Sequence, residues 1–227
     1  MRLKRTWTAL AVCLLGLAVL SGCAQEPKRK EMIPLKPCPV KNLALAPFLA
    51  GQPAEVPNGV VCPISAEIFV GQPAGEEALE AMVQVFPAAV EAVLACPLIL
   101  PSRVAGQMPP AMPSEMGLPV RQALAEAGRK VGAEAVLAGA LYRFEERQGS
   151  SLAITRAASV SIGLFLLDSK SGDILWQGFF DETQKSLSEN LLMATSFFNR
   201  GARWLTAAEL GHYGIEEMLR RMPTQLE

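Results

Sequence analysis

Apolar residues along this chain fall into three patterns: short continuous runs, strict alternation, and stripes at helical spacing. Asn42–Phe48 is a short apolar run closed by Pro47, which predicts a first core strand buried on both faces and terminated at its carboxyl end. Residues 49–76 are rich in Gly and Pro and lack a sustained period, so they predict a long loop broken by one apolar piece, Glu67–Val70. From Glu76 to Ala95, the residues Leu79, Met82, Val83, Phe86, Val90, Val93 and Leu94 recur at helical spacing, with Pro87 set to kink or split the helix. Leu98–Leu100 is a candidate second strand, followed by a Pro- and Met-rich connection from Pro101 to Leu118.

The next helix is well punctuated. Pro119 takes its first position, Val120, Ala123, Leu124, Ala127 and Val131 form its apolar stripe, and Gly132 ends it. Ala135–Leu141 is continuously apolar before alternation begins at Tyr142, as expected of a strand that enters a covered sheet and leaves it half exposed. In the following stretch Ala158, Val160, Ile162, Leu164 and Leu166 alternate with Ser159, Ser161 and Gly163, a period of two that a strand satisfies. Asp168–Asp173 supplies the turn, and Ile174, Trp176 and Phe180 lie on the returning strand. Ser186 with Glu189, and Thr206 with Glu209, have capping-box spacing and open two terminal helices, the second with Leu210, Ile215, Met218, Leu219 and Met222 toward the core. The fold class predicted is α/β: a mixed sheet of about five strands with a long antiparallel hairpin, and helices packed on the sheet.

The amino-terminal 22 residues belong to a different category. Arg2, Lys4 and Arg5 make a positive start, and Ala9–Leu20 is an apolar run too short to span a bilayer but suited to a cleaved signal. Leu20-Ser21-Gly22-Cys23 follows at once. Small residues at Ser21 and Gly22 admit a peptidase, and the Cys23 thiol can accept a thioether-linked diacylglycerol. This order resembles the lipobox of bacterial lipoproteins, with cleavage between Gly22 and Cys23 and lipid on Cys23. Ala24 and Gln25 follow, with no Asp, which by the same resemblance directs the mature protein to the outer membrane, anchored on its periplasmic face by diacylglycerol and palmitate-type chains.

Loss of residues 1–22 leaves 18 basic and 22 acidic residues, a net charge of −4 that suggests no nucleic-acid partner. Residues 23–40 mix charge with Pro27, Pro34, Pro37 and Pro39 and read as a lipidated tether. Residues 41–227 then form one α/β periplasmic domain. Of the remaining cysteines, Cys38, Cys62 and Cys96 each precede a proline. An oxidising periplasm favours one pair, and Cys38 with Cys62, flanking the first strand and its loop, is the expected disulfide. Cys96 then reads as a buried small hydrophobe.

Candidate chemistry is thin. His212 is the one histidine, which excludes a multi-histidine metal site and reads as a surface or satisfied residue. No nucleophile elbow, phosphate-binding loop or dinucleotide fingerprint occurs. Met108, Met112 and Met116 recur every four residues and are soft copper(I) ligands by type, but Pro109, Pro110 and Pro113 prevent the helix that would align them, so no metal is expected. Glu145, Glu146, Asp181 and Glu182 read as a solvated rim. No cofactor and no catalytic residue is expected.

The Leu-Ala-Leu-Ala-Pro-Phe strand at 43–48, the Gly-Ala-Glu-Ala-Val-Leu-Ala-Gly-Ala-Leu run at 132–141, and the Leu-Leu-Asp-Ser-Lys-Ser-Gly-Asp-Ile-Leu-Trp hairpin at 166–176 resemble the α/β domain shared by several envelope lipoproteins. These include the curli-secretion channel subunit, the lipoprotein activators of penicillin-binding proteins, and the amino-terminal domain of the Tol propeller protein. The resemblance covers residues 41–222 and implies a non-catalytic binding or accessory component of envelope assembly or transport, with an envelope protein partner or self-association. The alternative it implies is a subunit of an oligomeric outer-membrane export channel, in which Ser151–Asp168 would insert in the membrane with Arg156, Ser159 and Ser161 toward a lumen. The absence of aromatic girdles at 150–160 favours a soluble sheet.

Overall fold

Strand β9 (Ala135–Glu145) begins with eight consecutive buried residues, Ala135–Tyr142, because neighbours cover both of its faces. The computed structural model describes residues 34–151, 154–184 and 203–225. In it β12 (Ser159–Asp168) runs antiparallel beside β9, and β13 (Ile174–Thr183) lies antiparallel beyond β12. On the other flank β2 (Leu43–Leu45) is parallel to β9, and β8 (Leu98–Ile99) is parallel to β2. The result is a mixed α/β sheet, with the long antiparallel hairpin predicted from the alternation at 158–166.

Helices α1 (Glu76–Glu91) and α4 (Ala207–Arg221) cover one face. Met82 and Phe86 of α1 meet Val160, Ile162 and Leu164 of β12 and Leu210, Ile215 and Leu219 of α4 in a first core. On the other face, α2 (Pro101–Ala105) and α3 (Leu118–Lys130) place Val104, Val120, Leu124 and Ala127 against Val136, Ala138, Phe165 and Leu167 in a second core. Each large side chain so buried contributes about 1.5–3 kcal/mol. Two-sided burial also explains why β12 alternates yet has no wet face, since even Ser159 and Ser161 are buried.

The first core strand is interrupted where Pro47 falls, and it does not end there. Strand β3 (Leu49–Ala50) resumes the pairing with β9: Leu45 aligns with Leu137 and Leu49 with Ala140, so one extra residue is accommodated at the break. Phe48, inside that bulge, lies over Gly139. A Cβ at Gly139 would sit 2.4 Å from the Phe48 ring, so the absent side chain is what admits the ring. Phe48 then meets Phe86 edge to face, with centroids 5.1 Å apart.

The expected loop at 49–76 is largely a meander: β4 (Gln52–Pro53), β5 (Gly59–Val61) and β6 (Ile68–Val70) pair antiparallel in that order. Strands of two and three residues are too short to show a period. Their turns use left-handed Asn58 and Ala66, a geometry that an alanine does not advertise. Helix α1 runs unbroken through Pro87. Leu94–Ala95, expected at its end, forms a short strand β7 instead.

The terminal helices follow their punctuation where they are described. Gly117 and Gly132 bracket α3 with positive φ. Thr206 caps α4 by accepting from the Glu209 N–H at 3.1 Å, while the Glu209 carboxylate accepts from the Thr206 N–H at 2.9 Å. The helix expected from Ser186 and Glu189 lies outside the described residues, as do Gly22 and Cys23.

Gly139→Val drives a side chain into Phe48 and should destabilise the protein by about 3 kcal/mol. Urea unfolding would register this as a lower midpoint at unchanged slope. Acid sensitivity has identifiable sources. The Ser171 and Lys170 N–H groups hold the Asp168 carboxyl below its ordinary range, and the Arg203 guanidinium, followed by the Thr206 cap, does the same for Glu209. The stability these carboxylates contribute is complete above their unfolded values of ~4 and is lost as pH falls through the lowered folded values. Asp168→Asn should therefore flatten the fall of unfolding free energy below about pH 4, measured by urea titrations at successive pH.

Candidate functional site

The chain enters the folded body through a clasp. Lys36–Pro37, strand β1, pairs parallel with β7, and the Lys36 N–H donates to the Val93 carbonyl at 2.7 Å. The Lys36 ammonium reaches across to the end of α4 and donates to the carbonyls of Arg220 (2.9 Å), Leu219 (3.4 Å) and Met222. A cation there satisfies the unpaired carbonyls and complements the negative end of the helix. Two residues on, Cys38 is disulfide-bonded to Cys96, with Cα atoms 5.0 Å apart. The expected tether, 23–40, therefore gives way to the fold at Lys36.

This corrects the expected pairing of Cys38 with Cys62. Cys38 packs against the first core, whereas Cys62 is fully buried in the second, on the opposite face of the sheet, and its thiol is free. Cys96, expected as a buried hydrophobe, is partly buried against the first core and pairs because β1 lies on β7 directly before it. On chain-entropy reasoning, closing this 58-residue separation is worth about 4 kcal/mol.

A second feature lies on the other face, where β9, β12 and β13 extend beyond α3. Arg143 donates through Nε to Ser159 Oγ at 2.7 Å and pairs through Nη2 with Asp181; Ser161 Oγ donates to Asp181 Oδ2 at 3.3 Å. Ser159 and Thr183 hydroxyls share a hydrogen bond of 2.6 Å. Asp181 and the two serines, expected on a rim or toward a lumen, thus form a network across three strands. Glu146 is exposed, as a rim residue is, and its carboxylate also accepts from the Ala207 N–H at 3.1 Å at the start of α4.

Beside that network the aromatics form a shoulder. Phe69 of β6 stacks on Tyr142 at 4.1 Å with 3° between planes, and Phe179 lies 5.1 Å from Phe69 and 5.8 Å from Phe165. Phe179 is 41% exposed, and the residues flanking Phe69, Ile68 and Val70, are 58% and 70% exposed. The meander carrying them hangs from adjacent β9 carbonyls: Gly51 N–H donates to Leu141 at 3.0 Å and Gln72 N–H to Tyr142 at 2.9 Å. Sequence reasoning flagged Glu67–Val70 as apolar, but nothing in it places that segment over Tyr142.

Reactive chemistry finds no constellation among the described residues. His212 meets Glu216 at 3.0 Å, and Glu216 meets Arg220 at 3.0 Å, a ladder along the surface of α4. Met108 and Met112 lie against the second core, and no group of three or more His, Cys, Asp or Glu is placed to hold a metal. An open groove of about 570 Å³ beside α3 is lined by Gln122, Glu126, Arg129 and Lys170. Its charges are engaged locally, Arg129 by the Ser169 carbonyl at 2.9 Å and Glu126 by Lys130 at 2.8 Å.

Burial, and after it the neighbouring Cys62 thiol, push the Tyr142 phenol well above its ordinary value, and the hydroxyl makes no hydrogen bond of sound geometry. Such a group is costly to bury. Tyr142→Phe should keep the stack on Phe69 and leave stability unchanged or raise it by up to about 1 kcal/mol, read by urea unfolding.

No protein-family model and no curated protein matches the chain. Several solved structures are similar to it. A PelC dodecamer from Paraburkholderia phytofirmans is 14% identical, covers 86% of this chain and 95% of its own, and has a TM-score of 0.37. The lipoprotein GNA1162 from Neisseria meningitidis is 14% identical, covers 71% and 98%, and has a TM-score of 0.37. The LpoB C-terminal domain from Salmonella enterica is 16% identical, covers 65% and 85%, and has a TM-score of 0.35. At these values the likenesses carry no inference about what this chain does.

Proposed function

We propose that this chain is a bacterial lipoprotein, cleaved between Gly22 and Cys23 and held by lipid on Cys23 at the periplasmic face of the outer membrane. The observation that carries the reading is the order of features in the first 23 residues: Arg2, Lys4 and Arg5, then the apolar run Ala9–Leu20, then Ser21-Gly22-Cys23. Several acyl chains, at ~0.8 kcal/mol per buried methylene, anchor a protein that has no helix, among its described residues, long and apolar enough to cross a membrane. With the clasp at Lys36, the tether from Cys23 to Leu35 reaches about 40 Å when extended.

The folded body acts by binding, as a non-catalytic accessory component of envelope assembly or transport. Supporting this is the shoulder of Ile68, Val70 and Phe179, apolar side chains exposed on a rigid platform, in a chain whose one histidine is engaged by a glutamate. The Arg143–Asp181 pair, with its arginine side largely buried and its carboxylate exposed, ties β9 to β13 beside the apolar residues that form the contact surface.

Cys23→Ser should abolish metabolic labelling by palmitate and move the protein from the membrane pellet to the soluble fraction. Equal pelleting of the variant contradicts the anchor. Replacing Val70 and Phe179 with Asp should leave thermal unfolding within a few degrees of the parent while abolishing its crosslinks to envelope proteins or to itself in intact cells. Unchanged crosslinks contradict the assigned surface.

A further inference from the structure

We propose that the Cys38–Cys96 disulfide is a redox-operated latch: a dithiol reductant that opens it releases residues Lys36–Val40 from the folded body into the tether. The segment has little else to hold it. Strand β1 is two residues long and pairs with a two-residue strand. Pro37 has no N–H, so the Lys36 N–H, given to the Val93 carbonyl, is the one backbone donor β1 supplies. Pro39 next door lacks one too. The remaining noncovalent holds are the Lys36 ammonium on the last carbonyls of α4, a turn that already carries Arg220 and Arg221, and the partial burial of Cys38 and Val40 against the first core.

Release has a defined limit. From Lys41 onward a separate set of bonds takes over: the Lys41 N–H donates to the Glu134 carboxylate at 2.7 Å, and the Leu43 N–H to the Pro97 carbonyl at 3.1 Å. Leu43, Ala44 and Leu45 are then fully locked in the sheet. Opening the latch therefore frees five residues and stops at β2.

Cys38 and Cys96 are both partly buried at the edge of the first core, and neither is sealed inside it, so a small dithiol can approach the bond. The thiolate of the reductant attacks one sulfur, forming a mixed disulfide and expelling the other as thiolate. The second thiol of the reductant then resolves the mixed disulfide. The sum is two electrons and two protons delivered to Cys38 and Cys96, with the reductant leaving as its own disulfide. Cys62 cannot intercept this exchange, because it is buried in the second core with the sheet between. Five extra residues lengthen the tether by roughly 15 Å. That gain in reach rests on the anchor at Cys23; the latch does not.

Hydrogen exchange read by mass spectrometry on the full chain in detergent tests this, before and after dithiothreitol and in a Cys38→Ser, Cys96→Ser double variant. The Lys36 amide should exchange about 100-fold faster in the reduced and double-variant forms, with β9 and β12 unchanged. An unchanged Lys36 amide means the clasp holds without the disulfide, and acceleration across β9 and β12 means the bond is a general staple; either overturns the latch. Lys36→Gln in the oxidised protein should leave the position 36 amide protected. If that substitution alone frees the segment, the ammonium is the latch and the proposal fails. None of these readouts needs lipid, so a chain found without fatty acid loses the added reach and keeps the latch.

Discussion

Eight residues of β9 with no face toward water constrain everything else in this protein. A strand so buried must be covered on both sides and paired on both edges. Parallel β2 and antiparallel β12 supply the edges, while α1 and α4 on one face and α3 on the other supply the cover. Gly139 in its middle admits Phe48, and the carbonyls of Leu141 and Tyr142 near its end suspend the meander that carries Ile68 and Val70. The exposed apolar shoulder is thus positioned by the most buried element of the molecule. A surface on that support can bind without first paying to become ordered.

The same construction places the clasp and the proposed contact surface on different faces of the sheet. The clasp of Lys36, Cys38 and Cys96 belongs to the first core and to the end of α4, whereas the shoulder rests on the second core. The disulfide and the carboxyl end of α4 that make the clasp lie on the opposite face of the sheet from Phe69 and Tyr142.

Local sequence disclosed what local physics decides. The alternation of β12, the stripe of α3 between Pro119 and Gly132, and the cap of Thr206 with Glu209 depend on residues a few positions apart, and each was legible. Other features rest on distant partners. Cys38 pairs with Cys96 only because β1 lies on β7, and Glu146 caps a helix that starts at Ala207. The three-residue strands of the meander gain stability by leaning on Tyr142, a contact with no periodic signature. Pro47 read as a terminator because the sequence shows its missing donor but not that β9 continues past it to receive β3. For the shoulder, composition marked the apolar piece and only the packing marked its exposure.

Native-state hydrogen exchange at rising denaturant tests the role of β9 most directly. The account predicts that the Ala135–Tyr142 amides exchange only at the free energy of global unfolding, together with those of β12, while the amides of residues 52–70 open at lower cost. Exchange of β9 at a free energy below that of α3 and α4, with those helices still protected, would contradict it.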